Sequence, residues 1–351
     1  MLVRLTASCI LLALTAAGPA AADPCHEGAR ALERRDLDGA EKLLRQCLDQ
    51  DPPEAAPYLM LCGVYQLRQD SDALYRTASK GLKRFPGEPR FYLTVGTHDA
   101  RAGRYDDAIK IFEEGMRRWP EDRQVVSLLA SSHYARGAEL LDGGENEAAA
   151  KHLSRATKLA PDLVEAHLDL GRALHNLLRS ADALAAFNRV IELDPQTPLA
   201  QFHRGLTYYS MGEFDRAIED LDEEIAGNPG YPPAYLVRGL ARLESAEWAT
   251  ALADLEIAVA RMPGNSQAWH GRARALVQSD RLEEAEKALR KAMELDPEDP
   301  APVNTLVSVL IRLGRSAEAG PLRQKAAELA RARRSAGPGE IRFESQGRAA
   351  Q

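Results

Sequence analysis

The sequence predicts an all-α chain, built as a right-handed α-solenoid of about nine antiparallel helix pairs. Three observations predict it. The composition, 45% hydrophobic but only 6% aromatic, is too apolar for a disordered chain and suits neither collagen nor an all-β sandwich. Prolines that close apolar-periodic runs stand at Pro52, Pro86, Pro120, Pro161, Pro195, Pro229, Pro263 and Pro297, at intervals of 34, 34, 41, 34, 34, 34 and 34 residues. Twelve residues before each lies Ala40, Leu74, Ala108, Ala149, Ala183, Ala217, Ala251 or Ala285. Twenty-four before, wherever the interval is 34, lies Gly28, Cys62, Gly96, Gly171, Gly205, Gly239 or Ala273. Two small positions per period mark where helices approach closely, and a fixed period of this length is the signature of stacked helical repeats.

The elements follow in order. Residues 1–22 have the pattern of a signal peptide: Arg4 as the positive region, the apolar run Leu5 to Ala17, a break at Gly18-Pro19 and a small-residue cleavage site at Ala20-Ala21-Ala22. The apolar run is shorter than the ~20 residues of a spanning helix, so the reading is a mature protein from Asp23, exported without stable membrane insertion. Its destination is the periplasm, with secretion as the alternative. The repeats then fall near 23–54, 55–88, 89–122, 123–163, 164–197, 198–231, 232–265, 266–299 and 300–331. The seven extra residues of the fourth are assigned between His133 and Ala149, either as a loop insertion or as longer helices or a longer hairpin tip. Residues 332–351 read as a flexible basic tail.

Within each period the residues repeat one grammar. In Arg101-Ala-Gly-Arg-Tyr-Asp-Asp-Ala-Ile-Lys-Ile-Phe, Gly103 ends a first helix, Tyr105 packs in the turn, and Ala108, Ile109 and Phe112 start the apolar face of a second. Met211-Gly212-Glu213-Phe214-Asp215-Arg216-Ala217-Ile218 repeats it, and the closing proline prevents the second helix from continuing. At these residues the chain resembles the tetratricopeptide repeat: 34 residues, small at the eighth position, large at the fourth and eleventh, Ala at the twentieth, Pro at the thirty-second. The resemblance covers about Pro24 to Ala330. It implies a concave groove lined by the second, fifth, ninth, twelfth and thirteenth positions of each first helix. On this sequence those positions are Leu199, Phe202, Leu206, Tyr209, Leu236, Leu240 and Leu243, an apolar patch. Arg172, His175 and Asn176 form one shoulder, His270 and Arg274 the other, with Arg90 and Arg101 further back. Such a surface suits a peptide with apolar anchors and nearby acids; the rival reading is that the apolar residues only pack the first helices together. The Lys and Asn pattern by which some members clamp a terminal carboxylate is absent from the sequence.

Nothing in the chain points to bond chemistry. His167 and His175 lie about 12 Å apart along one helix, too far to share a metal. His133 and His167 fall at repeat-core positions and read as structural. Phosphate-binding, dinucleotide and nucleophile-elbow motifs are missing, so no cofactor is expected. With 45 Lys and Arg against 52 Asp and Glu the formal charge is −7, which disfavours nucleic acid as a partner. Three of the four cysteines, Cys25, Cys47 and Cys62, follow the leader. A Cys25–Cys47 bridge would staple the first repeat, Cys47–Cys62 is the rival pairing, and free thiols are the third case. The function that emerges is a non-catalytic envelope scaffold binding a protein or peptide partner. A self-assembling structural component is the alternative and an enzyme with a composite site is disfavoured; the sequence leaves the oligomeric state open.

Overall fold

The structure, a computed structural model, describes residues 23–336. The leader expected at 1–22, and the part of the expected tail beyond Ala336, lie outside the described residues. Every regular element among them is an α-helix, and consecutive helices pack as antiparallel pairs, the architecture of an α-solenoid. The chain divides into two compact units with the boundary after Ala135. The N-terminal unit holds α1 (Pro24–Glu33), α2 (Leu37–Asp49), α3 (Ala56–Leu67), α4 (Ser71–Arg84), α5 (Pro89–Arg101), α6 (Tyr105–Arg118) and the start of α7 (Arg123–Asp142). The C-terminal unit continues with α8 (Asn146–Leu159), α9 (Val164–Asn176), α10 (Ser180–Leu193), α11 (Ala200–Ser210), α12 (Phe214–Gly227) and α13 (Pro232–Glu244). It ends with α14 (Trp248–Arg261), α15 (Ser266–Gln278), α16 (Leu282–Leu295), α17 (Pro300–Arg312) and α18 (Ser316–Ala336).

Local chemistry sets the ends of these helices. Asp36 and Asp70 accept from the N–H groups of Gly39 and Ala73, each at 2.9 Å, and Asp299 accepts from Ala301 at 3.0 Å, satisfying orphan donors of a first turn. First helices close through a residue at positive φ: Arg35, Gln69, Gly103, Gly144, Leu178, Gly212, Ala246, Asp280 and Gly314, one per repeat. The chain then folds back, as when Arg179 N–H donates to Leu174 O and Glu213 N–H to Tyr208 O, both at 2.9 Å. Leu178 is the exception in kind: a branched apolar residue in the left-handed region, 84% exposed.

Between repeats, the side chain at the fourth repeat position reaches back six residues to a proline carbonyl. Tyr92 hydroxyl donates to Pro86 O at 3.1 Å, Gln201 amide to Pro195 O at 3.0 Å, Tyr235 hydroxyl to Pro229 O at 3.3 Å and Trp269 indole to Pro263 O at 2.8 Å. His167 does the same through Nε2, 3.2 Å from Pro161 O, which gives this histidine a structural partner. Close packing explains the small positions. A Cβ on Gly96 would sit 2.6 Å from the Phe112 ring, and Ala40, Ala108, Ala149, Ala183, Ala217, Ala251 and Ala285 are fully buried.

Of the readings left open for the seven extra residues of the fourth repeat, the structure has the longer helix, in α7 and not in α8, with no separate segment between His133 and Ala149. Counted on from Pro120 the first helix should begin at Arg123, counted back from Pro161 at Ala130; α7, at 20 residues, serves both frames. Val125 faces Gly115, while Gly137 packs against Leu153. Seven residues are about two turns, so the helix face is preserved. Also, α18 continues to Ala336, so residues 332–336 of the expected tail are helical. Of the pairings left open, the structure contains Cys25–Cys47, with Cα atoms 4.9 Å apart, and Cys62 is a buried free thiol whose pKa burial pushes up to about 12.

Candidate functional site

In the C-terminal unit the first helices α9, α11, α13, α15 and α17 touch one another in succession, so their side chains form one surface. The apolar residues assigned to it divide by burial. Phe202 and Leu206 pack with Leu221 and Val237, and Leu236 and Leu243 pack with Leu255 and Ala258; all four are buried. They hold helices together and leave the surface set that the resemblance implied. Leu199, Tyr209 and Leu240 stay only partly buried at the margins of the same clusters. Leu199 caps α11 with φ at 65°, and α11 starts two residues later within its repeat than α13 does in the next. Below it Glu224 is buried, its carboxyl pushed up by burial and pulled back by Asn228 and the first-turn N–H groups of Phe202 and Leu199.

The polar shoulders also change character. Arg172 pairs with Asp169 at 2.8 Å and Arg274 with Glu244 at 2.8 Å, so neither is a spare cation for an acidic ligand. Asn176 donates its amide to Asn146 at 2.9 Å. His175 Nδ1 lies 3.0 Å from Thr207 Oγ1, and His270 Nε2 lies 3.0 Å from Thr305 Oγ1. Burial holds the His175 imidazole below its ordinary value; burial, aided by the Arg274 charge, lowers His270 to about 4. Tyr209 is pushed up by burial and by the Glu244 carboxylate, with Arg274 opposing, which brings the tyrosine beside that ion pair. Arg90 bonds Glu88 at 2.7 Å; it and Arg101 belong to the N-terminal unit.

Two neighbours of this surface were not among the candidate residues. His203 stacks on Phe187 at 5.9 Å and meets Phe202 edge-on at 5.2 Å; burial, then Arg172 and His175, lowers it to about 3. Tyr231 meets the other side of Phe202 at 5.0 Å and is raised to about 12 by burial and Glu224. Neither stands at one of the five positions the resemblance names. Behind them runs an ionic framework. Arg204 grips Asp220 through Nε and Nη2 at 2.8 and 2.5 Å, and Arg238 grips Asp254 at 2.9 and 2.6 Å with Arg242 adding a third bond at 2.8 Å. Its signal was present as an Arg and an Asp sixteen residues apart in two consecutive repeats.

Among the described residues no group of three His, Cys, Asp or Glu side chains converges as a metal site, and no helix is long and apolar enough to cross a membrane.

Comparison with known proteins follows the same lines. Models of the tetratricopeptide repeat match residues 94–139, 134–196 and 176–232, and residues 242–310, together more than half of the chain. No curated protein matches it. Among solved structures, the APC/C hetero-tetramer Cut9–Hcn1 is similar over 87% of this chain and 57% of that one, at 16% identity and a TM-score of 0.51. MamA from Desulfovibrio magneticus RS-1 is 22% identical over 48% of this chain and 96% of its own, with a TM-score of 0.45. MamA AMB-1 is 24% identical over 47% and 98%, with a TM-score of 0.43.

Proposed function

The chain belongs to the tetratricopeptide-repeat family, and from that premise we propose that it is an exported, non-catalytic scaffold of the cell envelope. It holds a protein or peptide partner along the first helices of repeats five to eight. Members of the family generally serve as protein-interaction scaffolds. The observation that carries the placement here is the run of only partly buried Leu199, Tyr209 and Leu240 on adjoining first helices, bordered by the polar side chains of α9 and α15. Rigid walls of packed helices reduce the ordering cost of binding, which favours a preformed groove over a folding loop.

Export is supported by two independent features. The first 22 residues have leader chemistry, and a disulfide such as Cys25–Cys47 persists in an oxidising compartment but is reduced in most cytosols. The partner is protein rather than nucleic acid: net charge is −7, and the groove arginines are already neutralised.

The test is crosslinking capture from native envelope extract, with the chain beside a Tyr209→Ser/Leu240→Glu variant whose helicity is checked by circular dichroism. Partners retained by the first and lost by the second establish the groove. Equal retention by both removes the site from these helices.

A further inference from the structure

The two histidines at the shoulders of the proposed groove each bond a threonine hydroxyl whose own proton is already engaged. Thr207 donates to His203 O at 2.8 Å, and Thr305 donates to Ala301 O at 3.1 Å. A hydroxyl has one proton, and with it on the carbonyl each imidazole is the donor in its contact: His175 through Nδ1–H and His270 through Nε2–H. Burial keeps both rings neutral at ordinary pH. The second nitrogen of each ring, Nε2 of His175 and Nδ1 of His270, is therefore a bare acceptor, and neither makes a hydrogen bond among the described residues. Between them the groove presents apolar Tyr209 and Leu240, and the flanking cations Arg172 and Arg274 are closed into ion pairs with Asp169 and Glu244.

We infer that the occupant is an uncharged, apolar peptide segment bound in extended form, with main-chain N–H groups donated to His175 and His270. This rests on the groove assignment of the proposed function and narrows its ligand. Charge complementarity decides the choice: with its cations paired, the groove offers acceptors and apolar surface and no spare positive charge, so an acidic peptide has no counter-charge to meet. The histidines stand three first helices apart. At about 10 Å per helix the span is on the order of 30 Å, which an extended chain covers in roughly nine residues. Extended backbone is also the conformation that leaves its N–H groups unpaired and available.

Two measurements test the inference on the full chain. Nitrogen-15 NMR of the imidazoles at neutral pH should show His175 as the Nδ1–H tautomer and His270 as the Nε2–H tautomer; the reverse assignment, or a charged ring, overturns it. A display library of random 12-residue peptides, selected on the immobilised chain, should enrich apolar sequences poor in Asp and Glu. Their binding should change less than about twofold between low and high salt, since no counter-charge is screened. His270→Leu should weaken it roughly tenfold and His270→Gln, whose amide can donate to Thr305 while its oxygen accepts, should restore most of it. An acid-rich consensus whose binding falls with salt yet is abolished by Leu240→Glu overturns the neutral-ligand inference and leaves the groove standing. Peptides indifferent to Leu240→Glu overturn both. A library that yields no consensus overturns the inference as well.

Discussion

The first helix pair and the pairs of repeats six and seven are the same supersecondary unit held by different chemistry. In α1–α2 the two helices are joined covalently by Cys25–Cys47, and the core between them is small, built on Gly28, Ala31, Ala40 and Leu44. In α11–α12 and α13–α14 the helices are joined by buried ion pairs, Arg204–Asp220 and Arg238–Asp254, whose carboxylates are 4% and 3% exposed. The difference follows from neighbours. A repeat packed on both sides has enough apolar cover to lower the dielectric around a carboxylate, where two or three guanidinium bonds hold it; among the described residues α1–α2 meets helix only on the α3 side. There a cross-link that restricts the unfolded chain is the more effective device, since it needs no burial.

The harshest way to break this comparison is Asp254→Ala, which removes the buried carboxylate shared by Arg238 and Arg242 and leaves them only the more exposed Asp222 between them. We expect a loss of about 3 kcal/mol, the low end for a broken buried pair because Asp222 remains, seen in denaturant unfolding. Removing the bridge with Cys25→Ser and Cys47→Ser should cost about 3 kcal/mol in the chain-entropy account. Hydrogen exchange should then accelerate in α1 and α2 and leave α11–α14 unchanged; uniform acceleration would show that the staple is not local. Acid probes the repeat next to the second region, through His270 on α15. His270 binds its proton only near pH 4 when folded and near its ordinary value of 6.5 when unfolded, so the unfolded chain binds more protons between these values. Stability therefore falls as pH drops through that window and is flat above it, and His270→Gln should flatten the curve when melting is followed against pH. Smaller still, Trp269→Phe deletes the bond to Pro263 O and should cost about 1 kcal/mol by thermal unfolding. Leu178→Gly should raise stability by about 0.5–1 kcal/mol, because the left-handed turn suits glycine; a loss would mean that the exposed leucine makes a contact in solution.

Much of the fold was legible because its determinants are local and periodic. The proline intervals and the alanines twelve residues earlier report helix ends and close contacts directly, whatever the rest of the chain does. The fourth repeat was harder. Gly137 does lie twenty-four residues before Pro161, yet a break in the period left a loop and a longer helix both open, and the two look the same until Val125 and Gly137 are seen serving two frames. The site was legible only by helix. A repeat position tells which face a residue occupies, and not how far the next helix covers it: Leu236 and Leu240 stand four residues apart on α13, yet one is sealed and the other half-open. The same holds for charge. Arg172 and Asp169 are neighbours three residues apart on one helix, a pairing the sequence displays; Arg274 and Glu244 meet across thirty residues, and only the packing of α13 against α15 brings them together.

The contact between a proline carbonyl and the side chain six residues later also bears on how such a chain is inherited. Both partners recur every 34 residues from Pro161 and His167 to Pro263 and Trp269, so excising residues 196–229 would place Tyr235 six positions after Pro195, where Gln201 now stands. The seam heals with a hydroxyl in place of an amide. Duplication or loss of a whole period between Pro161 and Trp269 therefore keeps this contact at the joint, whereas the valines six residues after Pro120 and Pro297, Val126 and Val303, have no side-chain donor to exchange. The repeats that follow α7 can gain or lose a period without losing that contact.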